Sequence, residues 1–192
     1  MKSISALVDE HRLIEQVLNA LERMAEEGAR RGHLDAELAV EAVAFFRTFV
    51  HGWHFPREEA YVSGAMDPDN ASGSEDWRFH DHERCGEHLQ EMERCAAACT
   101  AGDRRAVACF VEHAQAYISV LMKHVEEEED RVFPALERAL TEDRESQAVR
   151  ALRQTESEIA DRRGLDACLA AAGRLADRLN VPKAVLSNAA SH

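Results

Sequence analysis

No stretch of this chain comes near the roughly 20 consecutive apolar residues that a bilayer crossing needs. Met1–Leu7 also lacks a basic start leading into a long apolar run. Proline and glycine are scarce, at four and nine in 192 residues, and aromatics make up only 6%. Ala, Leu, Glu and Arg are plentiful, and that mixture favours helix over sheet. Basic charge is in deficit: 23 Lys and Arg stand against 36 Asp and Glu, for a formal net charge of −13. A surface this acidic repels a phosphate backbone and an anionic membrane, which argues against nucleic-acid and membrane partners. The five cysteines (Cys85, Cys95, Cys99, Cys109, Cys168) are odd in number and form no CxxC pair. They read as packed free thiols in a reducing compartment rather than as a disulfide framework. The expectation is a soluble cytoplasmic protein.

What the chain does have is enough apolar residues, 45%, to fill one core, and ten histidines. Ile4, Leu7, His11, Ile14, Leu18, Leu21 and Ala25 recur at spacings of three and four, predicting a helix over about Ser5–Arg31 that stops near Gly28 and Gly32. A second helix is predicted from Asp35, an N-cap residue, to Val62, with Val43, Phe46, Val50, His54, Glu58 and Tyr61 on one stripe. Gly64–Ser74 reads as a loop. The third helix spans about Glu75–Thr100 with Phe79, His82, Cys85, Leu89, Met92, Ala96 and Cys99 on one face. The fourth spans about Arg104–Leu140 along Phe110, Ala114, Tyr117, Leu121, His124, Glu128 and Leu136. Short turns predict an all-α, up-down-up-down four-helix bundle over 1–140. Weaker patterns at about Glu142–Arg162 and Leu165–Leu179 predict a C-terminal helical extension, 141–192, packed on the bundle, with a loose tail from Asn180.

One motif, HxxxEE, occurs twice: His54 with Glu58 and Glu59, and His124 with Glu128 and Glu129. Residues four apart share a helix face, so each motif aims an imidazole and a carboxylate into the same space. Nitrogen with oxygen donors suits iron, manganese or zinc better than calcium or magnesium. Burying Glu58 and Glu128 without a partner costs several kcal/mol each or forces them to stay protonated. His11 and His82 add one inward histidine from each remaining helix. Pro56 sits inside the first motif, where it removes an amide donor and crowds the carbonyl of Gly52, predicting a kink or local widening at 52–56. That distortion makes Glu58 the weaker of the two carboxylates, with Glu59 as its substitute.

EHRLIEQVLNALE around His11, FFRTFVHGWHFPREEAYV around His54, DHE around His82 and HVEEEEDRVFPAL around His124 together resemble the hemerythrin-like, or HHE cation-binding, family. The resemblance covers roughly Ile4–Leu140. It implies two non-haem iron ions with an oxo or hydroxo bridge, zinc or manganese being possible substitutes. Glu58 and Glu128 would bridge the irons, with His11 and His54 on one and His82 and His124 on the other. Two octahedral ions offer roughly twelve positions, and this set leaves about one open on each. Oxygen-carrying hemerythrins have a fifth histidine one turn after the third-helix ligand; here that place is Gly86.

Several neighbours have two readings. Glu15 is a third carboxylate ligand or a charge-pairing residue, and His51 a ligand or a residue outside the ligand set. Tyr61 and Tyr117 are phenolate ligands or core residues, and Cys85 is a thiolate near the metal or packing. His88 approaches the metals only if the third helix is rotated, and His113, about 16 Å from His124 by helical rise, is too far. The expected function is binding of a small diatomic ligand, O2 or NO, for sensing, storage or detoxification. The alternatives are an enzyme with peroxidase-like or NO-processing activity, with peroxide as its small ligand, iron donation for cluster repair, or a regulatory module with a protein partner. Relatives associated with cluster repair carry an additional cysteine-containing N-terminal domain, whereas His11 here comes almost at once.

Overall fold

The three-and-four spacing near the N-terminus becomes one face of a single helix, α1 (Lys2–Arg31), and all seven residues of its stripe are buried in the computed structural model of the chain. The structure describes residues 2–65, 76–159 and 162–186. Gly32, at φ +62°, takes the left-handed conformation that ends α1 without a Cβ penalty. Asp35 then caps α2 (Ala36–Phe45) by accepting from the Leu38 amide at 3.2 Å. The chain continues without a break through a π-helical stretch, π1 (Phe46–His54), into α3 (Phe55–Ala65). α4 (Asp76–Thr100) and α5 (Ala106–Glu127) form the second hairpin, and α5 runs through a shorter π segment, π2 (Glu128–Val132), into α6 (Phe133–Ala139). α7 (Glu142–Ile159) and α8 (Arg162–Leu179) follow. Among the described residues there is no strand.

α1, the α2–π1–α3 rod, α4 and the α5–π2–α6 rod each pack against two neighbours, closing a four-helix bundle. Its neighbours are antiparallel. At one end of the α1–α5 seam Gly28 meets Val107 and Val111, and at the other His11 meets Glu128 and Glu129. Arg47 likewise pairs with Glu93, while Glu59, twelve residues later, pairs with His82, eleven residues earlier. α7 lies on α3, where a Cβ at Gly64 would stand 2.8 Å from the Ala148 backbone, so the two helices approach through a glycine. α8 covers α1 and α2. Gln16 ties it down, donating to the Ala172 carbonyl at 2.7 Å and accepting from the Ala184 amide at 2.6 Å.

The apolar interior comes in two clusters. The larger is built on Ile14, Leu18, Val50, Phe46, Leu89, Met92 and Leu121, and the smaller on Leu7, Tyr61, Val62, Phe133, Leu136, Ala148 and Leu152.

Three expectations need correction. The second helix runs past Val62 to Ala65, so Gly64 is helical and its smallness serves packing rather than a turn; residues 66–74 of the expected loop, and Glu75, lie outside the described residues. On α4 the expected face is buried at Cys85, Leu89, Met92 and Ala96, but in the first turn Phe79 is 46% exposed, whereas Arg78 is buried. The cysteines are not all free, because Cys95 on α4 and Cys109 on α5 are joined by a disulfide. Antiparallel packing brings together two cysteines whose sequence spacing, 14, carries no pairing motif.

Pro56 has the effect its chemistry predicts, over a longer and earlier stretch. Proline offers no amide to the Gly52 carbonyl, and the Phe55 amide bonds back to Val50, five residues earlier, as in a π turn. Phe133–Pro134 repeats the arrangement: the Phe133 amide bonds to the Glu128 carbonyl at the end of π2. The widening has a use. Phe46, Val50, His54 and Glu58 are spaced by four throughout, and over three such steps a regular α-helix drifts by about 120°. All four are nevertheless fully buried, because the wider π turns hold a four-residue repeat in line.

Candidate metal centre

All six residues singled out in the sequence meet between the two apolar clusters. His11 comes from α1, His54 from the end of π1, Glu58 from the first turn of α3, and His82 from α4. His124 lies in the last turn of α5 and Glu128 opens π2. Five of them are buried to 0–1% exposure. They fall into two groups whose potential donor atoms lie within 4.8 Å of one another: His11, His54 and Glu128, and Glu58, His82 and His124.

The carboxylates stand between the groups. Glu58 Oε2 is 3.4 Å from His124 Nε2, 3.5 Å from His82 Nε2 and 3.8 Å from His54 Nε2. Glu128 Oε2 is 3.3 Å from His11 Nε2 and 3.6 Å from His124 Nε2. Each carboxylate thus faces a histidine of both groups. The Nε2 atoms of His82 and His124 are 3.3 Å apart.

Three outer carboxylates aim three of the rings. His11 Nδ1 donates to Glu129 at 2.9 Å, His54 Nδ1 to Glu10 at 2.9 Å and His82 Nδ1 to Glu59 at 2.7 Å. An ionised carboxylate only accepts, so each Nδ1 carries the hydrogen and, in the neutral ring, each Nε2 lone pair points inward. Aromatic packing sets the rest. Phe55 stacks on His82 at 3.7 Å, Phe133 on His11 at 5.6 Å, and Trp77 stands 5.5 Å from His124, whose Nδ1 is buried with no hydrogen-bond partner.

The carboxylates are themselves held. Glu10 also accepts from Trp53 Nε1 at 3.1 Å and pairs with Arg57, which reaches Glu156 on α7 at 2.8 and 3.0 Å. Glu129 is paired with Arg12, which also holds Glu15 at 2.5 Å.

Charge alone leaves this arrangement unresolved. Burial, then the neighbouring Glu58 charge, drives the Glu128 carboxyl well above the ordinary range. Burial also opposes ionisation of Glu58, but hydrogen bonds from His124 and His82 overcome it and hold Glu58 well below that range. Burial and the nearby His11 ring keep His54 neutral. His82 is pushed up to about 9: burial works against its charged form, and Glu58 and Glu59 outweigh it. His11 Nε2, His54 Nε2, Glu58 Oε1 and both Glu128 oxygens remain buried without a hydrogen-bond partner. Orphaned buried polar atoms each carry a desolvation cost of about 1–3 kcal/mol or more. A cation among them would remove that cost and the reason for Glu128 to keep its proton. The donor set, imidazole nitrogen with carboxylate oxygen, fits such an ion.

The remaining candidates lie apart from the two groups. Glu15 pairs with Arg12, and Glu59 supports His82 rather than replacing Glu58. His51 faces the Tyr117 hydroxyl at 3.4 Å and the edge of Phe55. Tyr61 is fully buried in the smaller apolar cluster, and Cys85 is a buried free thiol. His88 meets His113 instead of the centre. Sequence reasoning missed Glu10, Glu59 and Glu129 as ring-orienting groups. For Glu59 and Glu129 the doubled Glu of each HxxxEE was the available signal: the first Glu turns inward and the second serves a histidine on another helix, whereas Glu10 lies in neither motif.

Residues 2–136 match the family model for the hemerythrin HHE cation-binding domain. No curated protein and no solved structure matches the chain.

Proposed function

We propose, from the premise that this chain belongs to the hemerythrin HHE cation-binding family, that it is a non-haem di-iron protein that binds O2 or NO for sensing, storage or detoxification. The observation that carries this reading is the convergence of buried, unpartnered nitrogen and oxygen atoms in two groups spanned by two carboxylates. His11 and His54 would serve one iron, His82 and His124 the other, and Glu58 and Glu128 both. Ferrous iron held this way would supply reversible affinity for a diatomic ligand. The protein supplies enclosure and orientation. Its walls are Phe55, Phe133, Trp77 and the ring carboxylates, and His82, the most open of the six, has a side chain only 9% exposed. That enclosure favours a ligand of two atoms over an organic substrate.

One side is less filled. A Cβ at Gly86 would have only His51 within 4 Å, at 3.9 Å. Burial, followed by the charges of His82 and Arg47, lowers His51 to about 4, so it stands neutral near the centre with Tyr117 against it. Where oxygen carriers have a fifth histidine, this chain has space next to a neutral imidazole and a phenol hydroxyl.

The test is anaerobic loading with ferrous iron, a metal count, and the optical spectrum on addition and removal of O2 or NO. Two irons per chain and a reversible spectral change are expected. Alanine at His54 or His124 should lower the iron content, and unchanged content in both variants would sink the assignment. Irreversible bleaching with consumption of peroxide would move the protein to the enzymes.

A further inference from the structure

Five side chains unused by the buried centre line up where α4 packs on α5. His88, Glu91 and Cys95 follow one another at steps of three and four and share a face of α4. Cys109 and His113, four apart, share a face of α5. Packing sets the two rows in register. Cys95 and Cys109 are bonded, His88 Nδ1 and His113 Nδ1 are 3.1 Å apart, and donor atoms of Glu91, Cys95 and Cys109 lie within 4.8 Å of one another. Cys95 lies thirteen residues beyond His82, about 20 Å along α4, so this ladder is separate from the His/Glu centre.

A cross-link alone does not explain these residues. Closing a 14-residue loop is worth about 3 kcal/mol in chain entropy and requires neither imidazole nor carboxylate. Arg94 adds a further clue: it touches Cys109 Sγ at 3.4 Å and donates twice to Glu91 Oε2, at 2.9 and 2.6 Å. A guanidinium beside a sulfur favours the thiolate, the form that binds metal. Cys95 is buried, while Cys109, Glu91 and His113 are half-buried, so the ladder is reachable from solvent.

We infer that reduction of Cys95–Cys109 opens a second metal site, in which Cys95, Cys109, Glu91 and His113 hold one zinc-class divalent cation on the α4–α5 face. Two sulfurs, one nitrogen and one oxygen make the four-coordinate set that zinc favours. Reduction proceeds by exchange with an external dithiol. One of its thiolates attacks a sulfur of the pair, and its second thiol then displaces the mixed disulfide. The Cys95–Cys109 bond is broken, the dithiol is oxidised to its own disulfide, and two electrons and two protons pass to the cysteines. Cation binding then releases those protons to solvent.

The full-length chain, either left oxidised or reduced with a phosphine and desalted under argon, is titrated with Co2+ as the probe. The expected result is one additional equivalent bound only after reduction, with thiolate-to-cobalt charge-transfer absorption in the near ultraviolet. Cys109→Ser removes both, with helical circular dichroism as the check on folding. His113→Ala lowers the affinity but keeps the thiolate band, and Cys99→Ser keeps both. Equal cobalt binding before and after reduction, or a thiolate band that survives Cys109→Ser, would overturn the site.

Discussion

Three of the four histidines at the centre owe their orientation to a carboxylate that does not itself reach it. Glu129, Glu10 and Glu59 hold the outer nitrogens of His11, His54 and His82. Removing such a partner typically costs 10–100-fold in metal affinity. Glu59→Gln and Glu129→Gln should therefore weaken iron binding by about one to two orders of magnitude, read by competition with a chromogenic chelator, with helical content unchanged. Wild-type affinity in both variants would refute the orienting role. These residues were hard to read from the sequence for a physical reason. Spacing within one helix reports which residues share a face, but Glu59, Glu10 and Glu129 act on rings carried by other helices. The inward carboxylates were legible because each shares a turn with its own histidine.

Thiol chemistry gives a second prediction at this scale. Burial, with Asp81 nearby, pushes the Cys85 thiol up to about 12, and a thiol rather than a thiolate is a poor nucleophile. In the folded chain at pH 8, maleimide or disulfide reagents should leave Cys85 unlabelled until denaturant is added. Mass mapping of labelled peptides checks this, and rapid native labelling of Cys85 would contradict its burial.

At the scale of elements, the stripes on α1, the α2–π1–α3 rod and the α5–π2–α6 rod were legible, because buried residues there form unbroken series. α4 was less so. Its polar residues run around most of its surface near His82, which leaves the apolar pattern too thin to distinguish Phe79 from Arg78 as the inward side chain. The second π segment also went unread, although Phe133–Pro134 repeats the Phe55–Pro56 pairing. Gly64 is the sharpest element-level test. A Cβ there would sit 2.8 Å from the Ala148 backbone, which no rotamer change can relieve. Gly64→Ala should push α7 away from α3 at a cost of about 1–3 kcal/mol, seen as a lower melting temperature. An unchanged or raised melting temperature would mean that the two helices separate freely.

For the whole molecule, the centre is a polar layer between two apolar clusters, and its partnerless atoms are a cost that the metal-free chain bears. A cation that binds only the folded state stabilises it by about 4 kcal/mol at a thousand times its dissociation constant. For a chain of this size that corresponds to a rise on the order of 10 °C in melting temperature. Anaerobic ferrous iron should produce such a shift in the wild type and little of it in the His54→Ala variant, by differential scanning calorimetry. Equal shifts in both would place the stabilising ion elsewhere.

The same layering governs kinetics. Side chains this enclosed exchange partners with solvent only as fast as the packing around them opens, so under the proposed reading entry of a metal ion should be paced by the fold. One end of the layer is closed by the smaller apolar cluster, drawn from α1, α3, α6 and α7, together with the Arg57–Glu156 ion pair between α3 and α7. Uptake should then stop accelerating as ferrous iron is raised, levelling at the rate at which that end opens. Hydrogen exchange along α3 and α7 would report the same opening. On that expectation the packing of the smaller cluster, as well as the chemistry of the six residues, sets how long a bound ion stays.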